Sequence, residues 1–280
     1  MFYLERIPAA PLSRFVQVLW YAQAPAPAHR YERILPTGCT QVILNLERDY
    51  LHDCLEGAPD RRIAPELVMG GRSIYEIVAA RDMTSLIGIS FKPGGFSAFA
   101  GDAVDRFSNL SIPLDAAWGA ATLVLRSRLR ETSDIRTRFR LIEAFLLERL
   151  AACGTSPATR RRPLVEFALS NFGRAPAIST VREVARQTGL SERRFSQVFR
   201  EEVGLSPKVW CRIQRFQRAV LMLHAGADVP WAELALDCGF YDQSHFANEF
   251  RAFSGVDATT YSAHRTRWAN HIAEHQAGAA

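Results

Sequence analysis

The chain has 280 residues, 48% of them apolar and 22% charged. That is enough apolar material for about two cores, and it excludes a disordered chain. The net charge of +5 is compatible with nucleic-acid binding, but bulk charge singles out neither half, so any DNA surface depends on placing charge on one face. No apolar run reaches the roughly 18–20 residues of a membrane helix. The start, Met1 to Arg6, lacks a basic segment followed by an apolar one, which predicts a cytoplasmic address and no membrane partner. Cys39, Cys54, Cys153, Cys211 and Cys238 are far apart and form no CxxC pair, so free thiols are expected. Cys39, after Pro36-Thr37-Gly38, is either a reactive thiol or a small buried turn residue.

Residues 1–100 carry short apolar runs such as Val18–Tyr21, Gln41–Leu46 and Leu86–Phe91. Turn residues separate them, among them Gly70-Gly71 and Pro93-Gly94-Gly95. This pattern predicts an antiparallel sheet, closed as a barrel. Neither glycine pair has the spacing of a phosphate loop. Residues 115–152 turn helical, with Phe139, Ile142, Phe145, Leu146 and Leu150 on one stripe. These helices either pack on the sheet or join two subunits. The stretch 154–163, with Gly154, two prolines and Arg160-Arg161-Arg162, reads as an exposed linker.

Beyond the linker the pattern is helical and repeats itself. Thr180-Val181-Arg182-Glu183 has capping-box form. Val184 and Ala185 continue an apolar stripe, and Gly189 supplies a left-handed stop. Leu190 plugs the turn and Ser191 caps a second helix. Phe195, Val198 and Phe199 face inward from it, and Gly204 ends it. The second copy has Leu234 and Ala235 inside, Gly239 at the turn, Phe240 as plug and Asp242 as cap. Phe246, Phe250 and Phe253 face inward, and Gly255 ends the helix. Two tight-turned helix pairs predict two elements that lay a second helix in a DNA major groove. Between them Ser206-Pro207 starts a long helix to about His224, with Trp210, Ile213, Phe216, Val220 and Leu223 on its apolar side.

At 100° per residue, Arg193, Gln197 and Arg200 lie opposite the core side of the first reading helix, flanked by Arg194 and Ser196. Ser244, Asn248 and Arg251 take the same positions in the second, with His245 beside them and Gln243 in its first turn. These ten residues are the candidate DNA contacts, because Arg, Gln, Asn, Ser and His match base edges and phosphates.

Residues 163–265 resemble the paired helix-turn-helix domain of AraC/XylS transcription regulators. Ala235 to Arg251 follows the second motif closely, and Gly189 to Pro207 fits the first. Gly255-Val256-Asp257-Ala258 departs by lacking the usual proline, which leaves the start of the last helix open. Residues 1–120 more weakly resemble an N-terminal domain found ahead of such domains, through Leu35–Cys39, Gly88–Gly95, Ile112–Leu114 and Trp118-Gly119. The resemblance implies an α+β multidomain chain. A β-rich, cupin-like barrel with C-terminal helices spans 1–155, a linker 156–163 and an all-α domain 164–268. In that last domain the first helix-turn-helix falls at about 180–202, a connecting helix at 207–224 and the second motif at about 230–253, and a tail covers 269–280. It implies a DNA-binding, effector-responsive regulator, an activator more than a repressor, that reads double-stranded DNA and engages RNA polymerase. A small-molecule effector and a homodimer are further implied partners.

Enzyme chemistry finds little footing. His271-Ile272-Ala273-Glu274-His275 matches an inverted zincin pattern but sits in what reads as a fraying tail. Residues 1–120 hold only His29 and His52, too few for a metal-binding barrel. No catalytic residue, metal or cofactor is expected. Trp20, Tyr21, Tyr31 and Phe91 are either core or the lining of a pocket. Two alternatives stay open: a catalytic N-terminal barrel targeted to DNA, and a regulator that works by protein contact with weak DNA binding.

Overall fold

The computed structural model describes residues 2–54, 60–101, 103–153, 157–174, 180–226 and 229–274. The N-terminal half supplies ten strands: β1 (Phe2–Arg6), β2 (Val16–Gln23), β3 (Tyr31–Ile34), β4 (Gln41–Asn45), β5 (Leu51–Asp53), β6 (Arg61–Ile63), β7 (Glu66–Met69), β8 (Glu76–Ala79), β9 (Ser85–Phe91) and β10 (Ser111–Pro113). Alternation of inward and outward side chains sets their faces. In β2, for example, Val16, Leu19 and Tyr21 are buried while Gln17 is exposed.

The strands make two antiparallel sheets rather than the expected closed barrel. One runs β1-β2-β9-β4-β7-β10. The other runs β3-β8-β5-β6, with a further strand, β11 (His271–Glu274), on the outer side of β3. β8 and β11 take both neighbouring positions of β3, and no strand pairing joins the two sheets among the described residues.

Helices α1 (Ser97–Ala100), α2 (Leu114–Trp118), α3 (Ala121–Glu131) and α4 (Ile135–Cys153) follow. Phe139, Ile142 and Leu146 of α4 join Leu19, Ile89, Phe91 and Trp118 in one core, so these helices pack on the sheet. Leu123, Val124 and Leu147 stay exposed on their outer side.

Helix α5 (Pro157–Arg174) begins inside the stretch expected to be an exposed linker. Arg162 is buried there: it donates to Glu166 at 2.9 Å, to the Pro93 carbonyl at 3.2 Å and to the Arg14 carbonyl at 3.3 Å. A run of arginines reads as solvated, yet one turn of helix turns this one inward onto two backbone carbonyls of the β-domain. Residues 154–156 lie outside the described part.

The helical domain continues with α6 (Val181–Gln187), α7 (Glu192–Val203), α8 (Pro207–His224), α9 (Trp231–Asp237), α10 (Gln243–Ser254) and α11 (Ala258–His264). It has two cores. Phe172, Val184, Ala185, Phe195, Phe199 and Trp210 form one, and Ile213, Phe216, Leu234, Phe246, Phe250 and Tyr261 belong to the other. Helix α8 feeds both, Trp210 into the first and Ile213 onward into the second. Each such side chain contributes roughly 1.5–3 kcal/mol on burial, so the two motifs share one strut and are fixed relative to it.

Candidate nucleic-acid interface

Each reading helix is started by the residue its sequence nominates. Ser191 accepts a hydrogen bond from the Arg194 amide at 3.3 Å, and Asp242 accepts from the His245 amide at 2.7 Å. Thr180 caps α6 by accepting from the Glu183 amide at 3.2 Å. The Glu183 carboxylate does not close the reciprocal half of the capping box. It binds Arg186 and Gln187 instead, and these hydrogen bonds hold its carboxyl down at about 2. The open question at the last helix is resolved by chemistry: Asp257 accepts from the Thr260 amide at 2.7 Å and starts α11 without proline. The turns are closed by Gly189 at φ +73° and Gly239 at φ +85°.

The candidate contacts divide by what they touch. Arg193, Arg194, Gln197 and Arg200 are exposed on α7 and Ser196 is half-buried. On α10, Gln243, Ser244, Asn248 and Arg251 are exposed and His245 is half-buried. Inward, Phe195 and Phe199 are 0% exposed and Phe246 is 2% exposed, so each reading helix has one apolar and one polar side. Arg194 donates to Gln197 at 3.0 Å, and Gln197 donates to Glu201 at 2.8 Å. His245 accepts from the Tyr241 amide at 3.2 Å, and Arg251 lies 3.8 Å from Asp257. Arg193, Gln243, Ser244 and Asn248 make no side-chain hydrogen bond among the described residues. The Arg212 guanidinium grips Glu249 through two bonds of 2.7 Å, tying α10 to the strut α8.

Arg200 is the exception. Its Nε donates to Asp105 of the β-domain at 3.1 Å. Ser108 hydrogen-bonds the Gly204 carbonyl at the end of the same helix. The second reading helix is held in a parallel way. Arg33, 1% exposed, donates from Nη1 to the Ser254 carbonyl at 3.0 Å, at the C-terminal end of α10. It also donates from Nε to Glu274 of β11 and stacks on Tyr75 with its guanidinium 4.1 Å from the ring centre. A cation at a helix C-terminus is favoured by the helix dipole. Both reading helices therefore end against the β-domain.

The stretch expected to fray is the strand β11. Ile272 is 1% exposed, and His271 to Glu274 pair antiparallel with Ile34 to Tyr31. Two members of the zincin-like pattern have other partners: His271 binds Glu32 at 2.6 Å and Glu274 binds Arg33. His275 lies outside the described residues. Among the described residues no group of three or more His, Cys, Asp or Glu is placed to hold a metal. The five cysteines are unpaired. Burial pushes the half-buried Cys39 thiol up to about 12, the direction of a structural rather than an activated thiol.

A cavity of about 280 Å³ lies in the β-domain, and apart from Trp20 its lining residues were not singled out by the sequence as pocket lining. Trp20, Leu67, Met83 and Leu86 form apolar wall, and Trp268 to His271, which follow the helical domain, close another side. Trp20 therefore lines a pocket, whereas Tyr21, Tyr31 and Phe91 are core. Trp20 sits opposite Gly88, where a Cβ would stand 2.3 Å from its ring, so only glycine admits this indole. Glu76 and His52 face the same cavity. Burial pushes the Glu76 carboxyl up, against the lowering pull of Arg72 and the Ser111 hydroxyl.

Comparison with known proteins places these features. Residues 184–264 match the model of a helix-turn-helix domain, and residues 4–113 match a domain of unknown function (DUF6597). The arabinose operon regulatory proteins of Salmonella typhimurium and Escherichia coli K12 are 28% and 29% identical over 127 residues. That stretch is 44% of this chain and 44% and 42% of theirs, so the match spans less than half the length of these relatives. The DNA-binding domain of AdpA, solved in complex with a target DNA, is 28% identical with a TM-score of 0.33, covering 36% of this chain and 90% of that one. ToxT from Vibrio cholerae covers 94% of this chain and 98% of its own, at 7% identity and a TM-score of 0.45. The chain carries, at its C-terminus, an AraC-type helix-turn-helix domain behind an N-terminal domain of unknown function.

Proposed function

We propose that the protein is a sequence-specific DNA-binding transcription regulator, in which α7 and α10 enter successive major grooves about 34 Å apart. One observation carries this reading: two capped helix-turn-helix units share the strut α8, and each turns a polar, exposed face away from a phenylalanine core. Arg193 and Gln197 are the leading base readers, with Arg194, Ser196, Gln243, Ser244, His245, Asn248 and Arg251 as further contacts. Arg200 joins them once it leaves Asp105. The β-domain senses a small-molecule effector. From the family resemblance, the protein acts inside the cell on RNA polymerase, as an activator and as a homodimer.

The test is selection of bound sequences from a random duplex library by the full chain at near-physiological salt. Two enriched patches about one helical turn apart are the expected result. Absence of enrichment, with and without candidate effectors, contradicts it. Arg193→Ala is then expected to cost about 1–3 kcal/mol on the selected site. An equal loss on unrelated duplexes reassigns Arg193 to phosphate contact.

A further inference from the structure

The strut α8 has a side that faces away from the core of the second unit. At 100° per residue Arg215 and Arg218 lie roughly opposite Ile213, which is buried in that core. This side borders a cleft of about 170 Å³ between the two units. Phe172 and Gly173 of α5 line it from the first unit and Cys238 from the second, while Gln214, Arg215 and Arg218 of α8 supply its hydrophilic side chains. Small-molecule sites run at about 300–1,000 Å³, so this cleft has room for one small group rather than an effector. No carboxylate lines it among the described residues.

Both cations of the cleft lack an anion. Arg215 is half-buried and makes no ion pair among the described residues. Its Nε is enclosed, while Nη1 and Nη2 keep accessible surface and meet no acceptor. The carboxylate whose charge reaches it, Glu249, already gives both oxygens to Arg212 at 2.7 Å each. Arg218 is exposed, and it donates to the Asp237 carbonyl at 3.5 Å, the outer limit of such a bond. The two stand beside the turn of the second motif. A Cβ on Gly239 would lie 3.3 Å from Arg215 Cδ, and the Arg215 guanidinium is 5.9 Å from the centre of the Phe240 ring. That turn leads into the N-terminal end of α10. In a helix-turn-helix this end meets the base edges, and the helix before the turn crosses the backbone. The β-domain holds the opposite end of α10, at Ser254.

We infer that the strut is itself a DNA contact: Arg215 and Arg218 clamp a backbone phosphate in the stretch of duplex between the two major grooves. A phosphate offers acceptors matched to a guanidinium, and bonds between two charged groups are the strong ones. Such a contact carries no base information, but it fixes the register of both reading helices on the duplex. The inference rests on the DNA-binding reading. A wild-type chain that binds no duplex ends that reading, whereas variants that bind as wild type does end this inference alone.

The experiment measures the affinity of the full chain for its selected duplex and for an unrelated one across a salt series. The double variant Arg215→Gln, Arg218→Gln is expected to flatten the slope of log affinity against log salt by about 0.9, the value of one phosphate. It should weaken both duplexes by the same factor. Arg215→Lys should keep the wild-type slope, because a phosphate needs the charge. A neutral methylphosphonate linkage, moved stepwise between the two selected patches, locates the contact. Wild type is expected to lose affinity at one position, and the double variant to lose nothing more there. An unchanged slope in a folded double variant, or a loss confined to the selected duplex, overturns the assignment. So does an Arg215→Lys protein as impaired as Arg215→Gln, which would show a packing role against Phe240. Should the double variant fail to fold, the wild-type scan decides, and no sensitive position between the patches overturns the inference.

Discussion

Arg200 shows what one side chain's partner can do to a reading helix. Its position opposite Phe195 and Phe199 was legible in the sequence, because helical periodicity alone assigns it to the outer face. Its ion pair with Asp105 was not, because the partner is 95 residues away and on another domain. An exposed pair of this kind contributes only about 0.2–1 kcal/mol to folding. On the proposed function its effect is larger in kind: Asp105 places a negative charge beside the helix proposed to approach phosphates, and it occupies a guanidinium suited to contact them. Asp105→Ala is therefore expected to leave thermal stability within about 1 kcal/mol. It is also expected to tighten DNA binding and steepen the dependence on salt by about one counterion. Titrations of a fixed duplex over a salt series check this; an unchanged slope would show that Arg200 does not reach the backbone.

At the scale of elements, local rules carried most of the information. Caps at Ser191, Asp242 and Ser206, glycines at the turns and apolar stripes at i, i+3 and i+4 are short-range signals, and the helices follow them. The weak points were elements whose partners are remote. The arginine run at 160–162 became helix because Arg162 finds carbonyls on the β-domain, and the tail became strand because β3 offers an edge. The same contrast separates two helix-ending glycines. Gly189 has φ +73° and open space around it, so Gly189→Ala meets backbone strain alone, roughly 1–2 kcal/mol. Gly255 has φ +74°, and its Cβ would lie 1.9 Å from Arg33 Nη1 and 2.5 Å from Tyr75 Cε1. Gly255→Ala is expected to cost roughly 2–4 kcal/mol, since it adds overpacking to the strain. Chemical denaturation of the two variants reads the difference.

At the scale of the whole molecule, β11 is a clasp between domains, and Glu32 is its charged centre. The carboxylate accepts from His29 at 2.8 Å and from His271 at 2.6 Å. Burial by itself would raise the Glu32 carboxyl, but the hydrogen bonds and charges of His271 and His29 override it and hold the group below its ordinary 4.5. A carboxyl depressed in the folded state stabilises fully above its unfolded value and loses that contribution as pH falls through the folded one. The clasp should thus weaken below about pH 4.5, with a slope of up to about 1.4 kcal/mol per pH unit from this group. Glu32→Gln should remove that part of the acid dependence. Unfolding free energies of both proteins between pH 3 and 6 test it; identical slopes would clear Glu32 of the role. None of this was legible from composition, where His271 and Glu274 fell into a metal-like pattern with no visible partner.

The pairing of β3 with β11 also dictates an order of events during synthesis. Arg33 and Glu274 are 241 residues apart. While the ribosome is still producing the reading helices, β3 is an open edge with an unpaired arginine, the type of surface that attracts stray strands. The second sheet is finished only after both helix-turn-helix units have emerged. The newborn β-domain therefore depends on a segment made after both helix-turn-helix units, and a nascent chain stalled before residue 271 should need a chaperone more than one that has passed residue 274.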